Sequence, residues 1–149
     1  MTGARDIARA LNDIAPGLTR PINTASRKAL RPMLNAAKAN LRANGNIESG
    51  EFLSLLTIKR DPKAPKDQPT HMVGPDAKKS PGYRKGHLIE FGTAPHWVGN
   101  WFHRGAKAFP FLRPAFEETK DEAIEILGSE IGPELEKQAA RVAKKRAGK

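Results

Sequence analysis

The sequence predicts an α+β fold, and three observations carry the prediction. Apolar residues recur at helical spacing over most of residues 4–43, a strand-like run and its return flank a proline-rich loop, and a long helical pattern fills the chain from Arg113 onward. At 149 residues the chain has the length of one domain. The expected organisation is N-terminal helices over 4–43, a β-rich middle with long loops over 50–110, and a C-terminal helix over 113–146.

Ala4 to Ile14 reads as a short amphipathic helix, with Ile7, Leu11 and Ile14 on one face and Pro16-Gly17 as its stop. A second helix is expected to start at Thr19-Arg20-Pro21, where proline suits the first turn. Its stripe is Ile22, Ala25, Ala29, Leu30, Met33, Leu34, Ala37 and Leu41. Pro32 should kink or restart it, and Asn44-Gly45-Asn46 supplies residues suited to a left-handed cap.

From Ser49-Gly50-Glu51-Phe52 a short helical turn precedes a strand through Leu55–Arg60. Pro62, Pro65 and Pro69, mixed with charges, mark the following stretch as a solvated loop. Thr70–Gly74 returns as a second strand, which makes an antiparallel hairpin with a long tip. His87–Thr93 is an apolar run ended by Gly92, and Ala94–Ala108 reads as irregular. The last helix carries Phe116, Ala123, Leu127, Ile131, Leu135, Ala139 and Val142 as its stripe and acids in its first turns, where the helix dipole favours them. Gly132-Pro133 is expected to break or bend it.

Composition narrows the function classes. The absence of cysteine removes disulfides, thiolate metal sites and cysteine nucleophiles. No apolar run approaches the length of a membrane span, and Met1–Asp6 lacks the apolar stretch of a signal peptide, so a cytosolic protein is expected. With 26 Lys plus Arg against 16 Asp plus Glu, the formal charge is +10. The excess is uneven: residues 1–46 hold 8 bases and 2 acids, residues 111–140 hold 3 and 8, and residues 141–149 hold 5 and none. Such basic ends serve either solubility or a nearby polyanion, and the final cluster also complements a helix C-terminus.

Sites for chemistry are scarce. His87 stands three residues before Glu90, and with His96 and His103 this raises a metal-dependent hydrolase, but no His-Glu-x-x-His pattern accompanies them. Glu90 reads better as a partly buried acid tying its turn to a nearby Arg or backbone amide. No nucleophile elbow or phosphate-binding glycine loop occurs, so no enzyme, cofactor or metal is expected. Trp97, Trp101, Phe102 and Phe109 suit either a base-stacking platform or a subunit contact, and the contact is favoured because large rings in a polar loop call for burial on assembly.

Two blocks then carry a resemblance: Gly82-Tyr83-Arg84-Lys85-Gly86-His87-Leu88-Ile89-Glu90-Phe91-Gly92-Thr93 and Phe109-Pro110-Phe111-Leu112-Arg113-Pro114-Ala115-Phe116-Glu117. In their order and spacing they resemble the HK97 gp10-like family of tailed-phage proteins, and Ser49–Ser54 is similar to a segment upstream of these blocks in that family. The resemblance implies a small antiparallel sheet packed by helices. It also implies a virion structural subunit: a head–tail connector, neck or tail-completion (tail-terminator-type) protein forming a homo-oligomeric ring. Implied partners are further copies of the chain and adjacent portal-adaptor or tail-tube proteins, with no membrane involved. The protein would assemble in the host bacterial cytoplasm and reside in the virion.

In that setting His87, Glu90, Phe91, Gly92, Thr93, Pro110, Phe111, Leu112, Arg113, Pro114 and Phe116 are structural-motif residues, with Arg113 pairing Glu90. Trp97, Trp101, Phe102 and Phe109 are candidate subunit contacts, ordering on assembly together with the Pro62–Pro69 tip. Arg141, Lys144, Lys145 and Arg146 are candidates for facing a DNA channel. The alternative is a free-standing basic nucleic-acid-binding protein.

Overall fold

A computed structural model describes residues 3–45, 50–65 and 67–148. Asn46 of the expected helix stop and Ser49 of the upstream segment lie outside them. In chain order the elements are α1 (Gly3–Ala29), α2 (Arg31–Ala43), α3 (Glu51–Leu55), β1 (Leu56–Arg60), β2 (His71–Pro75), a 3₁₀ turn (Pro81–Arg84), α4 (Lys85–Phe91), β3 (His96–Val98), β4 (Trp101–His103) and α5 (Leu112–Ala147). Strands β1 and β2 form one small antiparallel sheet and β3 and β4 another, which makes the protein α+β.

The residues fall into two compact units, one of Met1–Ala29, Arg60–His71 and Glu122–Lys149, the other of Leu30–Lys59 and Met72–Asp121. In the first, α1 and the C-terminal part of α5 run antiparallel. Lys28 Nζ bonds Glu130 at 2.7 Å, Gly17 lies against the Gln138 side chain, and Arg146 Nη2 bonds Asp13 Oδ2 at 2.7 Å. This pairing explains the first correction. Pro16 and Pro21 sit inside one continuous helix, where Pro16-Gly17 was expected to end one helix and Thr19-Arg20-Pro21 to begin another. An interior proline costs about 3 kcal/mol, and lateral packing of a long helix offsets penalties of that size. Pro133 is likewise internal to α5, so the break expected at 132–133 does not occur.

In the second unit Pro32 restarts the chain as α2, with Leu30 as the N-cap residue and proline in the first turn where its missing N–H goes unneeded. Ala37 and Leu41, two members of the expected stripe, are fully buried with Leu56, Phe111 and Ala115. Phe52 meets Phe111 edge-on with ring centroids 5.8 Å apart. On α5 the buried residues are Ala115 and Thr119, while Phe116, placed on the expected stripe, is 49% exposed. The middle of the chain is also less β-rich than expected: residues 85–91 form a helix that ends at Gly92, and α3 and the 3₁₀ turn add further helical backbone. The segment 94–108, read as irregular, contains the β3–β4 hairpin.

Candidate functional site

The two resemblance blocks converge on one corner of the second unit, where α4 ends and α5 begins. Glu90, on the last turn of α4, is only 7% exposed. Its Oε2 accepts from the Phe111 and Leu112 N–H groups at 2.8 and 2.9 Å, and its Oε1 accepts from the Arg113 N–H at 2.9 Å. Leu112 and Arg113 open α5 and Phe111 stands immediately before it, where the first amides have no partner within the helix. The buried carboxylate thus caps α5, and its charge lies at the positive end of the helix dipole. The expected Glu90–Arg113 pair is corrected accordingly: Arg113 meets Glu90 through its backbone N–H, and three backbone donors occupy the carboxylate.

The loop entering α5 is held from its other side as well. Asn40 Nδ2 donates to the Phe111 carbonyl, and Asn44 Nδ2 donates to the carbonyls of Phe109 and Pro110, each at 3.3 Å. The Phe109 N–H donates to the Ile89 carbonyl at 2.8 Å. Sequence reasoning missed both asparagines as loop clamps. Their spacing of four, with Asn40 on α2 and Asn44 as its C-cap residue, was the available signal, because residues four apart fall on one side of a helix.

Beyond Glu90 the chain turns at Gly92, which has φ +70°. A Cβ there would stand 2.5 Å from the Ala106 oxygen and 2.8 Å from the Ala108 nitrogen, so this position needs glycine for both backbone conformation and space. Thr93 and Ala106 then exchange two backbone hydrogen bonds, at 2.9 and 3.0 Å. Above this bridge rises the hairpin, with Trp97 opposite Phe102, Val98 opposite Trp101, and Gly99-Asn100 as a two-residue turn. Trp97 is 69% exposed, Trp101 62% and Phe102 46%. The Trp97 and Phe102 rings lean on each other at 5.1 Å. Phe91, at the end of α4, is also exposed, whereas Phe109 is half-buried with Lys107 Nζ 5.9 Å from its ring centre.

The remaining sequence candidates are dispersed. His87 lies exposed on α4. The His96 and His103 rings stand 5.1 Å apart across the hairpin, His96 Nδ1 facing the Ala94 carbonyl at 2.8 Å and His103 Nδ1 accepting from the Gly105 N–H at 3.0 Å. Among the described residues no group of three or more His, Asp or Glu is gathered as for a metal ion. Pro110 and Pro114 flank the start of α5 on its exposed side, and Leu112 is half-buried.

In the first unit, Arg141 lines a groove of about 700 Å³ with Arg20, Thr24, Glu134, Lys137 and Gln138. Arg146 is engaged by Asp13, while Lys144 and Lys145 are exposed. The basic tail is thus a helix end whose members have different surroundings. Among the described residues no helix is long and apolar enough to cross a membrane. Comparison of the chain with protein-family models, with curated proteins and with solved structures returns no match.

Proposed function

We propose that this protein is a structural subunit of a tailed-phage or phage-derived particle, a head–tail connector, neck or tail-completion protein that works as a homo-oligomeric ring. The observation that carries the reading is the β3–β4 hairpin. Two tryptophans and a phenylalanine stand uncovered on a base fixed by backbone hydrogen bonds. Exposed aromatic clusters of this kind mark surfaces that are covered by another molecule, and Trp and Phe are enriched in the buried centres of subunit contacts. The motif corner supports the same reading. Its one buried acid is consumed by helix capping, so the residues shared with the HK97 gp10-like blocks serve architecture, and the reading assigns them no catalytic step.

Neighbouring subunits and adjacent portal-adaptor or tail-tube proteins would cover the aromatic surface in the virion, and Lys144 and Lys145 would face the DNA passage. The test is twofold. Sedimentation velocity on the purified chain should show a discrete oligomer, and electron microscopy of intact particles should place copies of the chain in a ring at the head–tail junction. A chain that stays monomeric at high concentration, and that mass spectrometry does not find in particles, refutes the reading. Tight and steeply salt-dependent binding of short DNA by the monomer would favour the nucleic-acid-binding alternative.

A further inference from the structure

The groove of the first unit is lined by α1 and by the C-terminal half of α5, and its charges are unequally satisfied. On α1, Asp13, Gly17, Arg20, Thr24 and Lys28 recur at spacings of three and four and so share one helix face. The Asp13–Arg146 and Lys28–Glu130 pairs join this face to α5, one before and one after the groove residues of α1. Both acids that line the groove are already engaged, Glu130 by Lys28 at 2.7 Å and Glu134 by Lys137 at 3.5 Å. Arg20 and Arg141 are exposed in the same groove, and among the described residues neither pairs with a carboxylate. Three and four residues away on their own helices no acid occurs. The helix dipole does not account for them, because its influence fades beyond the terminal turn: Arg20 stands well inside α1, and Arg141 more than a turn before the end of α5. The basic surface continues past Arg141. Lys137, Arg141, Lys144 and Lys145 fall at i, i+4, i+7 and i+8 on α5, and residues 137–149 contain no acid.

We propose that this groove binds the phosphate backbone of DNA, with Arg20 from α1 and Arg141 from α5 each taking a phosphate and with Lys144 and Lys145 carrying the strand onward. A guanidinium meets phosphate oxygens through two parallel N–H bonds, and Thr24 and Gln138 add neutral donors to the lining. The volume of about 700 Å³ falls within the ~300–1,000 Å³ common to ligand sites. A single carboxylate or a free phosphate would neutralise the groove and leave Lys144 and Lys145 unmet. A chain of phosphates meets both, since each cation placed along it releases a condensed counterion. The inference rests on the assembly reading for the choice of DNA as that polyanion. What it adds is a specific contact, shared between two helices, in place of a basic chain end alone.

Fluorescence anisotropy of a short labelled DNA duplex, titrated with the full chain over a range of salt, tests the groove. Each phosphate contact contributes about −0.9 to the slope of log affinity against log salt, so Arg20→Gln with Arg141→Gln should flatten the slope by about 2 and weaken binding at low salt roughly tenfold or more. Arg20→Lys with Arg141→Lys keeps both charges and should keep the slope. Lys78→Gln with Lys79→Gln removes the same charge from exposed positions of the other unit and should leave the slope unchanged. Neither arginine has a carboxylate partner to lose, and circular dichroism and melting curves matching the unaltered chain confirm that the variants fold. An equal loss in the two glutamine variants reduces the effect to net charge and overturns the proposal, as does an unaltered chain that fails to bind the duplex at low salt. Displacement of the duplex by inorganic phosphate at constant ionic strength assigns the groove to a free phosphate, and binding of poly-glutamate as tight as that of the duplex assigns it to an acidic protein; either result overturns it. Sedimentation velocity on the same samples separates the two readings. An oligomer whose DNA binding ignores the arginine pair keeps the assembly and loses the groove, whereas a monomer with the expected slopes keeps the groove contact and loses the assembly.

Discussion

Replacing Glu90 isolates the contribution of one buried carboxylate to the architecture of the corner. In Glu90→Ala the N–H groups of Phe111, Leu112 and Arg113 all lose their acceptor, and the Phe111 bond is fully buried. Hydrogen bonds to a charged group contribute roughly 1.5–3 kcal/mol each, and a buried donor left unmet costs about 1–3 kcal/mol. Water can reach the two partly buried donors, so the summed loss is on the order of 3–5 kcal/mol, against a typical total stability of about 5–15 kcal/mol.

Glu90→Gln keeps size and shape but offers one acceptor oxygen. If that oxygen serves Phe111 and Leu112, the amide NH₂ faces the Arg113 N–H, and the loss is one bond plus a donor–donor contact, about 1–3 kcal/mol. For a chain of this length the melting midpoint should fall by roughly 3–9 °C in the glutamine variant and roughly 8–15 °C in the alanine variant, read by scanning calorimetry. The order matters more than the sizes. An alanine variant melting within a degree of the parent, or a glutamine variant as unstable as alanine, would refute the capping argument.

The other predictions concern neighbouring parts of the structure. Gly92→Ala forces a side chain into positive φ and against the Ala106 carbonyl, and should cost about 2–4 kcal/mol in denaturant titration. Phe111→Ala empties the centre of the second unit's core, where Phe111 is 0% exposed, and should cost about 3–5 kcal/mol by the same measure. His71 has its pKa lowered by burial and by Arg27 and Arg60, so folding disfavours its protonated form; its share of stability is intact well above pH 6.5 and is lost as pH falls through the unfolded-state value. His71→Gln should therefore flatten the decline in melting temperature on going from pH 7.5 to pH 5 (chosen to span about the ordinary histidine value). Lys144→Gln with Lys145→Gln should leave the melting temperature unchanged, while Arg146→Gln, which breaks a half-exposed pair with Asp13, should cost less than about 1 kcal/mol.

The sequence announced some of this architecture through local signals strong enough to survive tertiary context. Ala37 and Leu41 are core residues of α2 because they share a helical stripe, and Pro32 begins a helix because a first-turn proline forfeits nothing. Glu90 was legible as a buried acid seeking a backbone amide, although which amides could not be read without the fold. The failures share a cause. Pro16, Pro21 and Pro133 carry a local penalty, and the gain that outweighs it comes from residues more than a hundred positions away, as the Lys28–Glu130 and Asp13–Arg146 pairs show. The β3–β4 hairpin was a different miss. Its two-residue Gly99-Asn100 turn between aromatic and β-branched residues is a recognised signal, but the surrounding glycines and the three-residue strands obscured it. The run 87–91 was too short for periodicity to separate helix from strand.

The contrast between the root and the tip of the hairpin bears most directly on function. At the root the backbone is closely held: Gly92 and Gly105 both take positive φ and let the backbones approach, the Thr93 and Ala106 backbones are doubly bonded, and Ile89 holds Phe109. Below that, the Glu90 cap and the Asn40 and Asn44 clamps fix the chain between the hairpin and α5. At the tip, the Trp97 and Trp101 rings find little cover within the chain. A flexible loop with the same rings would have to be ordered on binding, at about 0.5–1.5 kcal/mol per immobilised side chain in addition to its backbone entropy. Here the backbone share of that cost is already met by folding. On the assembly reading proposed above, loosening the root should therefore weaken self-association even where the aromatic residues themselves are untouched, with Gly92 and Glu90 acting as positioning residues for the surface above them.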